Sequence, residues 1–137
     1  MRGFLLDTNV ISELRKGARA SAGLREWFDS VESNQLFVSV LVIGEVRRGI
    51  EQIRRRDPRS AQHLEAWLMH LREEFADRIL GVSEEIAELW GELGLDAPLP
   101  PIDGLIAATA LYHGLTLVTR NEKDVSRAPV AIINPFS

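Results

Sequence analysis

Short, unbroken apolar runs alternate along the chain with longer stretches in which apolar residues recur every three or four positions. The runs are Phe4-Leu5-Leu6, Leu36-Phe37-Val38, Ile79-Leu80-Gly81-Val82, Thr116-Leu117-Val118 and Val130-Ala131-Ile132-Ile133. Strands buried on both faces of a parallel sheet have this continuous character, whereas half-buried strands alternate. Between the runs, Leu24, Trp27, Phe28 and Val31 fall on one helical face, as do Leu64, Trp67, Leu68, Leu71 and Phe75. The clearest predicted helix is Ser83 to Leu93: Ser83 caps it, Glu84 and Glu85 sit at the positive end of its dipole, and Gly94 stops it. Another, from about Asp103 to His113, is apolar nearly all round and is therefore expected to be central and buried. Strands alternating with helices predict an α/β fold on a mostly parallel sheet.

Two connections stand out, Gly17–Ala22 and Asp96–Pro101, and the second (Asp-Ala-Pro-Leu-Pro-Pro) cannot be helical. A length of 137 residues without repeats or linkers suits a single domain over 1–137. The absence of cysteine excludes a disulfide framework and thiolate chemistry and fits a reducing cytoplasm. The N-terminal apolar run is too short for a signal peptide or a membrane span, so a soluble, cytoplasmic protein is expected. With 16 Lys+Arg against 20 Asp+Glu, bulk charge argues against a nucleic-acid coat, though not against a local basic patch.

Ligands of open α/β sheets bind beyond the carboxyl ends of the strands, which directs attention to the acids there. Asp7 follows the first strand, Glu45 lies in the helix after the second, Asp103 opens the buried helix, and Asp124 comes just past the fourth strand. Each has a structural explanation. Asp7 and Asp103 can cap helices, Glu45 can pair with Arg48, and Asp124 can stabilise a turn with Asn121. Glu45 shifts the balance, because Leu41, Val42, Ile43 and Val46 surround it, and a carboxylate is rarely buried without a partner or metal. Clustered carboxylates repel, so a cation is expected to neutralise them. Oxygen-only ligands select hard ions such as Mg²⁺ or Mn²⁺, and such a site suits phosphodiester hydrolysis. His63, His70 and His113 share no ligand spacing, and no glycine-rich phosphate loop or nucleophile elbow is present.

Four segments in order resemble the PIN-domain ribonucleases: Leu5-Leu6-Asp7-Thr8-Asn9-Val10, Ile43-Gly44-Glu45-Val46, Asp103-Gly104-Leu105-Ile106-Ala107 and Val118-Thr119-Arg120-Asn121-Glu122-Lys123-Asp124. The wording is similar to that of VapC-type toxins, in particular the FitB-like branch. The resemblance implies a three-layer α/β/α domain and a metal-dependent endoribonuclease, the toxin of a bacterial toxin–antitoxin pair. It implies that Asp7, Glu45, Asp103 and Asp124 hold Mg²⁺ or Mn²⁺, with Thr8, Asn9, Thr119 and Asn121 in support. It further implies a homodimer and a small VapB-type antitoxin that covers the active site. Val125 departs from the family's usual Phe, which bears on local packing, and Asn121 competes with Asp124 for the fourth acid's role.

Arg47, Arg48, Arg54, Arg55, Arg56 and Arg59 crowd the segment after Glu45. One explanation is a solvated helix face with Glu51 and Asp57 as partners. The other, naming Arg47, Arg48, Arg54 and Arg55, is an edge that contacts RNA phosphates. Trp27, Trp67 and Trp90 are read as packing residues rather than base-stacking platforms. Two rival readings are a receiver-like signalling module with a Mg²⁺ pocket and a catalytically silent PIN-like binding domain. Without the four candidate acids, acidic and basic residues are equal at 16 each. The excess negative charge then reads as a concentrated pocket rather than a general coat.

Overall fold

The computed structural model describes residues 3–93, 95, 99–125 and 128–136. Five strands, β1 (Phe4–Leu6), β2 (Leu36–Ser39), β3 (Ile79–Leu80), β4 (Thr116–Val118) and β5 (Ile132–Ile133), form one sheet in the order β3-β2-β1-β4-β5. Every neighbouring pair is parallel; Leu5 faces Phe37 on one side and Leu117 on the other. The helices are α1 (Thr8–Leu14), α2 (Ala22–Ser30), α3 (Val40–Arg54), α4 (Pro58–Glu74), α5 (Glu84–Glu92), α6 (Pro101–His113) and α7 (Glu122–Val125). The chain moves outward from β1 to β2 to β3, then returns past β1 to β4 and β5. Right-handed crossovers in opposite directions place α1–α4 on one face and α5–α7 on the other. The result is a three-layer α/β fold.

Burial explains why the strands were legible. Leu5 and Leu6 in β1 and Leu117 and Val118 in β4 are fully buried, since helices cover both faces of the sheet's centre. The outer strands β3 and β5 are half-buried and only two residues long, so Gly81, Val82, Val130 and Ala131 fall outside the strands expected there. Local chemistry sets the helix starts. Ser39 and Ser83 cap α3 and α5, accepting from Leu41 N at 3.0 Å and Ile86 N at 3.2 Å. Helix α6 begins at Pro101 rather than Asp103, because proline is tolerated at the first helical position, and it ends on Gly114 in the left-handed region at φ 66°. The expected stop at Gly94 and the Asp96–Pro98 part of the proline connection lie outside the described residues. Among the described residues no helix is long and apolar enough to cross a membrane.

Helices α3 and α4 are joined by an ion network that the sequence did not indicate. Glu65 of α4 accepts from Arg47 at 2.7 and 2.5 Å and from Arg54 at 2.8 Å, and Glu51 bonds the same two arginines. Asp57, an expected arginine partner, instead caps α4 through Ser60 N at 3.1 Å. The Arg47 hydrogen bonds, with Arg54 adding to them, hold the Glu65 carboxyl down at about 2, below its ordinary 4.5. A depressed carboxyl contributes stability that is complete above its unfolded pKa and is lost as pH falls toward the folded value. Between pH 4.5 and 2, the urea midpoint of the wild-type chain is therefore expected to fall more steeply than that of Glu65→Gln. Parallel midpoint curves would show that the network adds nothing to folding.

Candidate functional site

The path of the chain reverses between β1 and β4, the kind of crevice in which open α/β sheets bind ligands. Asp7 stands there. Its backbone N–H reaches across to the Val118 carbonyl at 3.0 Å, and its side chain caps α1 by accepting from Thr8 N at 2.8 Å. The other carboxylate oxygen accepts from the Thr119 hydroxyl at 2.7 Å and from Asn9 Nδ2 at 3.3 Å. Thr119 is fully buried, and its hydroxyl oxygen in turn accepts from Asn121 N at 3.1 Å. Asn9 closes the cluster by accepting from Arg120 N at 3.1 Å. Thus Asp7, only 7% exposed, is held in one orientation by donors that are all neutral.

Thr8 brings in the second acid. Its hydroxyl donates to Glu45 Oε1 while its amide serves Asp7, so the two carboxylates are bridged by one residue. Glu45 is half-buried rather than enclosed among apolar residues as expected, because its side of α3 turns toward Thr8 and not into the core. It forms no ion pair with Arg48. Among the described residues, no cation pairs with Asp7 or Glu45 either.

Asp103 is the third residue of α6, where a carboxylate favours the helix dipole; Pro100, not Asp103, occupies the cap position. The far end of α6 leads by a tight turn to Thr116, whose N–H bonds Gly3 at the amino edge of the sheet. Thirteen helical residues span roughly 20 Å, which carries Asp103 to the carboxyl edge. Asp124 lies on α7, just past Thr119–Asn121, and its side chain is outside the described residues. Among the described residues, no three His, Asp or Glu side chains are grouped closely enough to hold one ion. The direct link is between Asp7 and Glu45; Asp103 and the backbone of Asp124 share their edge of the sheet.

Two features escaped the sequence reading. Trp90 lies against the first turn of α6, so close that a Cβ on Gly104 would stand 2.9 Å from its Nε1. The indole, 40% exposed, packs on α6 as a stop beside Asp103. The second feature is Glu13, buried in α1, which accepts from Ser21 N and Lys16 Nζ, both at 2.9 Å, with Arg120 Nη2 3.7 Å away. The Lys16 contact, then the Ser21 amide, holds its carboxyl below the usual range. Arg120 also stacks 4.0 Å over Phe136, which fixes an exposed cation next to the Asp7 cluster. No single sequence spacing connects these residues. Of the arginines read as RNA contacts, Arg47 and Arg54 are engaged with Glu51 and Glu65, whereas Arg48 and Arg55 are exposed. Val125, the departure noted in the fourth motif, is buried.

Residues 4–130 match the PIN domain family. Toxin FitB of Neisseria gonorrhoeae is 32% identical over 139 residues, covering 96% of this chain and 97% of that protein. Ribonuclease VapC14 of Mycobacterium tuberculosis is 31% identical over 113 residues, covering 82% and 96%. Among solved structures, a toxin–antitoxin complex from Klebsiella pneumoniae superposes with a TM-score of 0.76 at 27% identity, covering 98% of this chain and 99% of that one.

The Trp90 stop carries a sign that can be measured. Alanine at a helical glycine normally stabilises by up to about 1 kcal/mol, but overpacking costs about 1–3 kcal/mol. Gly104→Ala is therefore expected to lower the unfolding free energy of the wild-type chain and to raise it in a Trp90→Ala background. A stabilising Gly104→Ala in both backgrounds would show that the indole does not restrain α6.

Proposed function

The chain belongs to the PIN domain family, and we propose that it is a divalent-metal-dependent endoribonuclease, acting in the cytoplasm through one domain as the toxin of a toxin–antitoxin pair. The observation that carries this reading is the Asp7–Glu45 pair: two carboxylates bridged by Thr8, one of them buried, and neither in an ion pair among the described residues. Three neutral donors leave Asp7 with acceptor capacity for an ion. The donor set is all oxygen, which fits Mg²⁺ or Mn²⁺; Mg²⁺ commonly binds through one or two carboxylates and keeps several waters. When bound, such an ion supplies positive charge to activate water and to stabilise the leaving oxygen of a phosphodiester. Asp7 and Glu45 would hold it, with Asp103 and Asp124 at the same edge. Thr119 and Asn9 fix the Asp7 carboxylate, and Asn121 fixes Thr119. No side chain is needed as a nucleophile.

Relatives named as toxins and ribonucleases support the activity, and the toxin–antitoxin complex supports a small VapB-type antitoxin as partner. A groove of about 340 Å³ between α1, α2 and α4, floored by Ile11, Phe28, Trp67 and Leu71 with Arg15, Arg25 and Asp29 at its rim, suits an amphipathic antitoxin segment. The exposed Trp90, Ile102 and Tyr112 on α5 and α6 offer apolar surface for a homodimer.

Asparagine caps a helix as well as aspartate does, so Asp7→Asn should fold while losing the charge. Purified wild-type chain is expected to cleave RNA with Mg²⁺ or Mn²⁺ and to stop with EDTA. Asp7→Asn, equally folded by circular dichroism, is expected to lose at least about 100-fold, at or beyond what residues outside the ligand set typically cost. Undiminished cleavage by that variant would refute the assignment.

A further inference from the structure

The crowded arginines of α3 are not equivalent, and helical geometry separates them. At 100° per residue, the buried Val42, Val46 and Ile50 define the inward face. Arg47 and Arg54 fall on one flank, and that flank faces α4, where both engage Glu65. Glu45 falls on the opposite flank, toward Thr8. Arg48 and Arg55 lie between, on the outermost line of the helix, with Gln52 beside them, and all three are exposed. Among the described residues no acid pairs with Arg48 or Arg55. They are seven residues apart, about two turns and roughly 10 Å along the axis.

Gly44 begins this line next to Glu45. Its backbone is open: a Cβ there would meet nothing within 4 Å. A surface cleft of about 590 Å³, lined by Gly44, Arg47, Arg48, Glu51, Gln52 and Arg55, follows the same line. The cleft therefore leads from bare backbone beside the Asp7–Glu45 pair to two free guanidinium groups. Its lining has no apolar anchor, and its one acid, Glu51, is already offset by Arg47 and Arg54, whereas the centres of protein–protein interfaces are built on buried aromatic anchors. Free arginines and a side-chain amide are the groups that bind nucleic-acid backbone. In a chain with a formal charge of −4, a local positive line is also what a polyanion needs in order to approach two carboxylates.

We propose that the outer line of α3 is a track for the backbone of single-stranded RNA. Arg48 and Arg55 each bind a phosphate of the strand presented to Asp7 and Glu45, and Gln52 bonds the backbone between them. Arg47 and Arg54 take no part and serve to join α3 to α4. This assignment rests on the ribonuclease reading above.

The test uses the full chain carrying Asp7→Asn, so that RNA is bound but not cut. Binding of a fluorescein-labelled single-stranded RNA is measured by anisotropy over a salt series at fixed Mg²⁺. Losing two phosphate contacts lowers the slope of log K against log salt by about 1.4 for a single strand. Arg48→Gln with Arg55→Gln is expected to produce that drop and to leave the unfolding midpoint unchanged. Arg47→Gln with Arg54→Gln is expected to lower the midpoint and keep the slope. An unchanged slope in the first pair, while the wild-type chain cleaves RNA, would overturn the track but not the activity. An unchanged RNA slope with weakened antitoxin binding would also overturn it and make the line a protein contact. If the wild-type chain neither binds nor cleaves RNA, both the track and the ribonuclease reading fall.

Discussion

The site depends on one buried negative charge held by neutral groups. Asp7 sits where β1 meets β4, two strands adjacent in the sheet but separated by more than a hundred residues of chain. Its carboxylate is bound by an amide, a hydroxyl and a carboxamide, none of which carries charge. A carboxylate so placed is costly to desolvate, and the three hydrogen bonds reduce that cost without neutralising it. Thr8 then brings a second carboxylate, Glu45, alongside. The fold thus supplies orientation and leaves charge to be balanced from outside the chain. That combination is what a cation site requires.

The same division between neutralised and open charge continues over the surface. On α3, two arginines are offset by Glu51 and Glu65, and two are left open on the line leading from Glu45. On α1, Glu13 is offset by Lys16 and the Ser21 amide, with Arg120 beside it. A mild net negative charge is therefore compatible with an RNA substrate, since under the proposed track the concentrated acids and the basic line would serve different parts of one ligand.

Much of this was legible in the sequence because it is local or repetitive. Central strands showed themselves as unbroken apolar runs, since Leu5, Leu6, Leu117 and Val118 are buried on both faces. Outer strands were overdrawn, because an edge needs fewer buried residues than an apolar run suggests. Asp7 was legible both as a helix cap and as a site acid; it caps α1, and the same carboxylate is linked through Thr8 to Glu45. Glu45 drew attention through its apolar neighbours in sequence, yet at helical spacing Ile43 points to the opposite side and Glu45 faces Thr8. The Arg47–Glu65 bridge and the Trp90 stop against Gly104 arise from helix-to-helix packing. Local spacing carries no signal for either.

A divalent cation held by the Asp7–Glu45 pair is the centre of the proposed chemistry. Crystals of the full chain grown with Mn²⁺ and measured above the manganese absorption edge would locate it through an anomalous difference map. The expected result is a peak coordinated by carboxylate oxygens of Asp7 and Glu45 that disappears in Asp7→Asn crystals of the same form. Well-ordered wild-type crystals with no peak between those carboxylates, or a peak that survives the substitution unchanged, would contradict it.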